Sequence, residues 1–330
     1  MAKKFRELTM EEVYGKNKQE MLAIIGVDEF DWDTMSEKEQ CEFLDIPLNE
    51  WFKLEDHLYH NPITPGLSSS GMKTIVHKSP AAYKEFKDNP EVGSRDALIM
   101  GSAIHTKILE PEKFDDEYYV IEDGIRKNSA AWKKYENDAN GREIIKQSAY
   151  NDILGMEASL SKMGYLPIMR ESMTEHAIFA YDEEFDVVLR VKADAVTDKI
   201  VIDLKSTIDA SPDGFLRNAV IKYGYDLQHW LYLKVCELTK QSRAAFTFVA
   251  VEKKRPYVCM GYTIDQGQIE LYSNIVAREA IETYAYCLKT NNWFGYEISN
   301  IKKPTKQLFK TLEMPNWFLY PIEEKADFKI

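Results

Sequence analysis

The stretch Val187–Lys205, VVLRVKADAVTDKIVIDLK, decides how the rest of the chain is read. Two short runs rich in β-branched residues, Val187–Lys192 and Ile200–Lys205, flank a charged turn, and this predicts two strands. Asp194 falls just after the first, and Asp203-Leu204-Lys205 ends the second. Side chains alternate faces along a strand, so Asp203 and Lys205 are expected on one side, with Leu204 turned into the core. The unbroken run Ile200-Val201-Ile202 marks the second strand as central and buried. An acid and a lysine at its exit are costly to desolvate, which a fold tolerates only with compensation.

Moving outward, Glu175–Tyr181 (EHAIFAY) predicts a strand upstream that completes a meander. Downstream, a long helix is expected over Phe215–Leu238. Two strands follow, Ala244–Glu252 and Tyr257–Ile264, joined by the basic turn Lys253-Lys254-Arg255, and then a helix near Gln268–Leu288. Before the meander, the turn-rich Tyr59–Gly71 (YHNPITPGLSSSG) opens onto the helical pattern MKTIVHKSPAAYKEF. Further helices are expected over Asp96–Leu109 and in the polar segment 126–163, with Trp132 and Tyr135 as anchors. Strands in this order, with helices between and around them, make an α/β sandwich: a central sheet flanked by helices. Residues 1–58 read as an acidic helical N-terminal extension, with Thr34 and Ser36 followed by Glu37 and Glu39 as helix-start signals. Residues 59–330 form the main domain.

The chain has 330 residues, enough for one large domain or one with a smaller appendage, and 45% of them are hydrophobic, which is ordinary for a globular protein. No apolar run approaches a membrane span, and the opening MAKKFRELTM lacks the apolar stretch of a signal peptide, so a cytoplasmic location is expected. Cys41, Cys236, Cys259 and Cys287 are scattered, without a CxxC pair or zinc-finger spacing, which argues against a zinc or iron–sulfur site. The formal charge of −12 argues against a nucleic-acid partner until its distribution is considered. Residues 1–60 carry 15 acidic and 7 basic side chains, a net of −8, which leaves only −4 for the remainder.

Other residues join Asp194, Asp203 and Lys205 as candidates. Gly101-Ser102-Ala103-Ile104-His105 places a histidine one helical turn after a glycine, where a close helix approach is expected. Glu175 begins the first meander strand and adds a carboxylate. Gln228 and Tyr232, four apart on the long helix, share a face. Taken singly these are a core histidine, a solvated strand-end acid and two helix residues. Their order, GxxxH, E, D, DxK, QxxxY, is the specific feature.

That order resembles the RecB-like branch of the PD-(D/E)XK nucleases, and more narrowly the phage exonuclease VIII (RecE) family. The likeness extends upstream: Tyr59-His60, Gly66-Leu67-Ser68-Ser69-Ser70-Gly71-Met72 and Lys78-Ser79-Pro80-Ala81-Ala82-Tyr83 look like that family's YH…GLSSS…SPAxY opening. It covers roughly Tyr59 to Ile264. It implies a restriction-endonuclease-like core with a central mixed sheet, and an activity similar to that of lambda exonuclease: 5′-to-3′ digestion of one strand of duplex DNA ends, leaving a 3′ single-stranded overhang. It also implies service in phage or prophage recombination, a RecT-like single-strand annealing partner and a homo-oligomeric ring. Asp203 and His105 stand where lambda-type enzymes carry glutamates, which agrees with the exonuclease VIII side. The lambda-type arginine that helps hold the 5′ phosphate has no clear counterpart.

Phosphodiester hydrolysis needs an activated water and stabilisation of phosphate charge, and a hard cation on carboxylate oxygens provides both. Mg²⁺ is therefore expected, on Asp194 and Asp203 with His105 as an additional ligand and Glu175 as a further carboxylate; the histidine suggests that Mn²⁺ substitutes well. Lys205 orients or deprotonates the water and offsets phosphate charge, Gln228 positions the water or Lys205, and Tyr232 supports the helix face. Ser68, Ser69 and Ser70 open a helix whose exposed N–H groups suit an anion, and the resemblance implies a 5′-phosphate contact near Ser70. Arg95, Lys133, Lys134 and Lys253–Arg255 are candidate backbone contacts. Two alternatives stay open: a RecB-like nuclease of other polarity or single-strand preference, and a catalytically silent DNA-binding module. No G-x-x-x-x-G-K-[ST] motif is present, so no fused ATP-driven helicase is expected.

Overall fold

The computed structural model describes residues 3–90, 95–127, 129–240, 245–298, 301–302, 304–309 and 311–313. Its strands, in chain order, are β1 (Phe52–Lys53), β2 (Tyr118–Ile121), β3 (Glu143–Lys146), β4 (Met173–Asp182), β5 (Val187–Val196), β6 (Ile200–Thr207), β7 (Ala245–Glu252) and β8 (Cys259–Tyr262). Six of them form a sheet in the order β1-β4-β5-β6-β7-β8. Only β6 and β7 run parallel in it; the other neighbours are antiparallel. A parallel pair needs a long crossover, here the helical segments Pro212–Phe215, Leu216–Ile221 and Tyr225–Leu238. The result is the mixed central sheet flanked by helices that was expected.

Helices cover both faces. On one, Tyr225–Leu238 packs Leu227, Leu231 and Val235 into a core with Ile178, Leu189, Phe246 and Phe248, joined by Met72 and Ile75 of the helix Ser69–His77. On the other, Ile104 and Ile108 of the helix Arg95–Leu109 and Met156 of the helix Gln147–Lys162 pack against Ile202, Leu204 and Val249. Leu204 is fully buried, as the strand alternation requires.

The N-terminal segment is helical, but it is built onto the sheet. Phe5, Met21, Leu22, Trp32 and Leu44 share one apolar cluster with Ala177, Phe179 and Val188 of β4 and β5, and β1 pairs with β4. The buried Glu37 carboxylate accepts hydrogen bonds from the backbone N–H groups of Gly66 (2.7 Å) and Val188 (2.8 Å) and from the Tyr284 hydroxyl (2.6 Å). Ser36 caps the helix Glu37–Phe43 in a capping box with Glu39, whereas Thr34 closes the helix Glu29–Thr34 instead of starting one.

Several boundaries differ from the sequence reading. β5 continues to Val196 and β6 to Thr207, so Asp194 and Asp203-Leu204-Lys205 lie inside strands, not at their ends. Charged residues there imitate a turn, but their partners are tertiary. The long helix breaks before Tyr225, where Gly224 takes a left-handed φ of +61°. MKTIVHKSPAAYKEF forms two helices, Ser69–His77 and Pro80–Asp88, with Ser79 as N-cap and Pro80 in the first turn of the second. The segment 126–163 contains β3 between the helices Ala130–Ala139 and Gln147–Lys162; paired with β2, it makes a small parallel sheet that the sequence did not announce. β8 is shorter than expected, because Tyr257 has φ +60° and pairing begins only at Cys259. The helix near Gln268–Leu288 has a π-helical start, Ile269–Ser273, and its regular part is Asn274–Thr290. Ala244 lies outside the described residues. Among those described, no helix is long and apolar enough to cross a membrane.

Candidate active site

β5 and β6 pair only at Ala195–Ile202 and Val196–Val201, and then part. The N–H of Leu204, released from the ladder, is taken by Oδ2 of Asp194 at 2.5 Å. A side-chain carboxylate thus replaces a strand partner, and the opening between the strands is where the candidate residues meet.

Asp194 faces His105, with Nδ1 to Oδ1 at 3.4 Å, so the helix Arg95–Leu109 delivers its histidine to the strand fork. Glu175 sits across from Asp194 on β4, between the pairs Thr174–Ala195 and His176–Ala193, with a left-handed φ of +54°. Such strain in a non-glycine residue collects at functional sites. One ligand atom from each of His105, Glu175 and Asp194 lies within 4.8 Å of the others. Asp203 stands beside this trio, not in it. Its Oδ1 accepts from Gln228 Nε2 at 2.6 Å, and its buried Oδ2 faces the Lys205 ammonium at 2.5 Å without a well-formed hydrogen bond. A nitrogen and hard carboxylate oxygens gathered in this way, with one carboxylate oxygen left short of donors, fit a divalent cation.

The charges around the fork hold one another in place. Burial works against a charged His105, but the Asp194 carboxylate outweighs it and Glu175 adds to it, so the ring is raised to about 9. Burial and the nearby Asp194 charge lift Glu175 to about 7, against the pull of Lys192. Burial also acts against ionised Asp194, yet His105 and the Leu204 N–H hold it below the usual carboxylate range. Asp203 moves the other way: burial raises it and the Asp194 charge adds, more than Lys205 offsets. Partial burial works against a charged Lys205, but Asp203 outweighs it, so the half-buried ammonium is raised and stays ionised at neutral pH.

The remaining predicted residues divide. Gln228 and Tyr232 do share a helix face; the first bonds Asp203, while the second is buried and donates its hydroxyl to the backbone carbonyl of Lys192. Ser68 is the N-cap of Ser69–His77, accepting from Gly71 N–H at 3.2 Å, with its hydroxyl 3.0 Å from that of Ser70; Ser69 is half-buried and Ser70 exposed. Gly101 is not a point of close approach: no described atom lies within 4 Å of where its Cβ would be. Lys133, Lys134 and Lys253–Arg255 are exposed, and the side chain of Arg95 lies outside the described residues.

The sequence reading missed Lys192 and Asp56. Lys192 bonds Glu175 at 2.9 Å and also the Asp56 carboxylate, which ties the N-terminal segment to the site. A signal existed: Arg190, Lys192 and Asp194 recur every second residue along β5, putting charge on one face of a buried strand. Arg190 lies deeper, donating to the carbonyls of Gly66 and Tyr59.

The model of the family described as "PDDEXK-like domain of unknown function (DUF3799)" matches residues 68–302, well over half of the chain. The protein belongs to this PDDEXK-like family. Its matched region contains His105, Glu175, Asp194, Asp203, Lys205, Gln228 and Tyr232. Among solved structures, the chain is similar to the crystal structure of a "Putative exonuclease" from Eubacterium rectale, at 14% identity and a TM-score of 0.52, over 84% of this chain and 100% of that one. At that identity the likeness shows a shared fold alone. No curated protein matches the chain.

Proposed function

We propose that this PDDEXK-like protein is a divalent-metal-dependent exodeoxyribonuclease that digests one strand of duplex DNA ends from 5′ to 3′, leaving a 3′ single-stranded overhang, in phage or prophage recombination. The observation that carries the nuclease reading is the fork between β5 and β6, where Asp194, Asp203 and Lys205 meet His105 and Glu175. The exonuclease reading is supported by the motif order along the chain and by the description of the Eubacterium rectale neighbour.

Asp194, His105 and Glu175 would hold Mg²⁺ or Mn²⁺, with Asp203 beside them. Once bound, the cation supplies Lewis-acid stabilisation of the phosphate and a water of lowered pKa. Asp203 holds Lys205 charged in the metal-free protein, which favours a part in offsetting negative charge on the phosphate as the water adds and the 3′ oxygen leaves. Gln228 fixes the rotation of the Asp203 carboxylate, and Tyr232 ties the helix to β5 next to Lys192. The exposed Ser70 hydroxyl, beside Ser68 and Ser69 at a helix start, belongs to a 5′-phosphate contact. The functional form in this reading is a ring of identical subunits in the bacterial cytoplasm, acting with a RecT-like annealing protein.

The test is digestion of linear duplexes labelled at one 5′ or one 3′ end, with and without a 5′ phosphate, in Mg²⁺ and in chelator. Metal-dependent release of the 5′ label first, faster with a 5′ phosphate, is the expected result. Early release of the 3′ label, or cutting of single strands only, would replace the polarity with that of another RecB-like nuclease. Duplex binding without cutting in any metal would leave a DNA-binding module.

A further inference from the structure

Lys73 lies on the helix Ser69–His77, three and four residues after Ser70 and Ser69, so its side chain leaves the same helix face as theirs. That face meets the start of the helix Tyr225–Leu238. The Lys73 ammonium stands 5.3 Å from the centre of the Tyr225 ring, and the Lys205 ammonium stands 4.9 Å from the centre of the same ring. Backbone geometry holds the lysine there. Gly224 adopts its left-handed conformation against the Lys73 stem, and a Cβ on it would come within 3.2 Å of Lys73 Cδ and 3.0 Å of His77 Nε2.

Lys73 is half-buried, and among the described residues it makes no hydrogen bond and no ion pair; its one specific contact is the ring. Lys18, Lys53, Lys113 and Lys192, by contrast, all reach carboxylates. Two ammonium groups brought to one aromatic ring repel each other at partly desolvated positions. Burial, then the Lys205 charge, brings Lys73 down to about 8, with the charges of Asp203 and Asp226 opposing. Among the described residues Lys73 thus has no carboxylate bonded to it, which leaves its ammonium able to take an anion from outside the chain.

We propose that Lys73 is a phosphate-binding residue of this site, donating to a non-bridging oxygen of a backbone phosphodiester of the strand that enters the β5–β6 fork, alongside Lys205. This rests on the nuclease reading for the identity of the anion. The Tyr225 ring holds both ammonium groups close to itself by cation–π attraction to each. Gly224 serves the arrangement by letting the helix start lie against the Lys73 stem.

The experiment compares wild type with Lys73→Gln and Lys73→Arg. Duplex binding is read by fluorescence anisotropy in EDTA across a salt series, thermal unfolding is measured without DNA, and kcat and KM are measured in Mg²⁺. Lys73→Gln is expected to weaken duplex binding about tenfold, the worth of one charge-assisted contact, and to flatten the slope of log K against log salt by about 0.9. Thermal stability should hold or rise, because a repelling charge is removed, and Lys73→Arg should recover most of the binding. Binding and salt slope equal to wild type in Lys73→Gln, with a lowered Tm, would overturn the assignment and leave Lys73 as a packing clip on Tyr225. Wild-type cutting reports on the nuclease reading separately. A wild type that cuts, beside a Lys73→Gln variant that binds and cuts equally well, overturns Lys73 alone; a wild type that binds but never cuts still scores Lys73 through the anisotropy.

Discussion

In the proposed reading, His105 links protons, metal and stability at a single residue. In the metal-free protein it is raised from 6.5 to about 9 by Asp194 and Glu175, against burial. A histidine raised on folding contributes stability that is complete below about pH 6.5 and is lost as pH rises through about 9. Metal binding runs the opposite way, because the ligand ring must be neutral and Glu175, raised to about 7, must be ionised. Apparent Mn²⁺ affinity should therefore climb between about pH 7 and pH 9, with proton release seen by calorimetry in buffers of different ionisation heat. A His105→Gln variant should show a shallower climb and fewer protons released; an unchanged profile would take His105 out of the ligand set. The strand-fork residues give a second prediction. Asp194→Asn, Asp203→Asn and Lys205→Met should each reduce kcat by at least about a hundredfold, as expected for lost electrostatic stabilisation, and be measured on folded protein. Asp194→Ala should in addition lose about 1–3 kcal/mol of stability by chemical denaturation, because it strands the buried Leu204 N–H, whereas Asp194→Asn keeps an acceptor.

Among elements, the junction of the helix Glu37–Phe43 with β5 offers a sharp test. Glu37 satisfies two backbone N–H groups, of Gly66 and Val188, and the buried Tyr284 hydroxyl. Glu37→Ala leaves all three without that acceptor in a dry interior, so a loss of about 3 kcal/mol or more is expected in urea unfolding. Catalytic parameters of the fraction that remains folded should change little, because the network lies outside the β5–β6 fork. A loss below about 1 kcal/mol would mean that water or a shifted side chain replaces the carboxylate.

For the molecule as a whole, charge and packing give opposite expectations for residues 1–58. Their net of −8 suggests a detachable segment whose removal eases DNA binding at low salt. Packing says otherwise: removal uncovers Ala177, Phe179 and Val188, takes away β1 and Glu37, and frees Lys192 from Asp56. Deletion of 1–58 is therefore expected to give an insoluble or unfolded chain, followed by circular dichroism and soluble yield. A folded, active truncation would show that the charge argument was the correct one. The proposed ring is tested by light scattering, with excess unlabelled DNA added after digestion begins. A multiple of the 38.3 kDa chain mass and continued digestion are expected; a monomer stopped at once by the trap would sink the ring.

The sequence by itself determined the α/β class and picked out Asp194, Asp203 and Lys205 on neighbouring strands, and its family resemblance implied the mixed sheet. Strand alternation and motif order are local, one-dimensional signals, and Asp203, Leu204 and Lys205 could be placed on opposite faces from them alone. The strand ends, the helix break at Gly224 and the small sheet of β2 and β3 escaped it, because each depends on a partner distant in sequence. Only the tertiary structure decided that β5 and β6 part where Asp194 takes the Leu204 N–H, that Glu175 faces Asp194 from a strained position, that Asp56 reaches Lys192, and that Lys73 reaches the Tyr225 ring. Those facts follow from which chain segments pack against one another, and a charge on a helix carries no mark of the strand it will face.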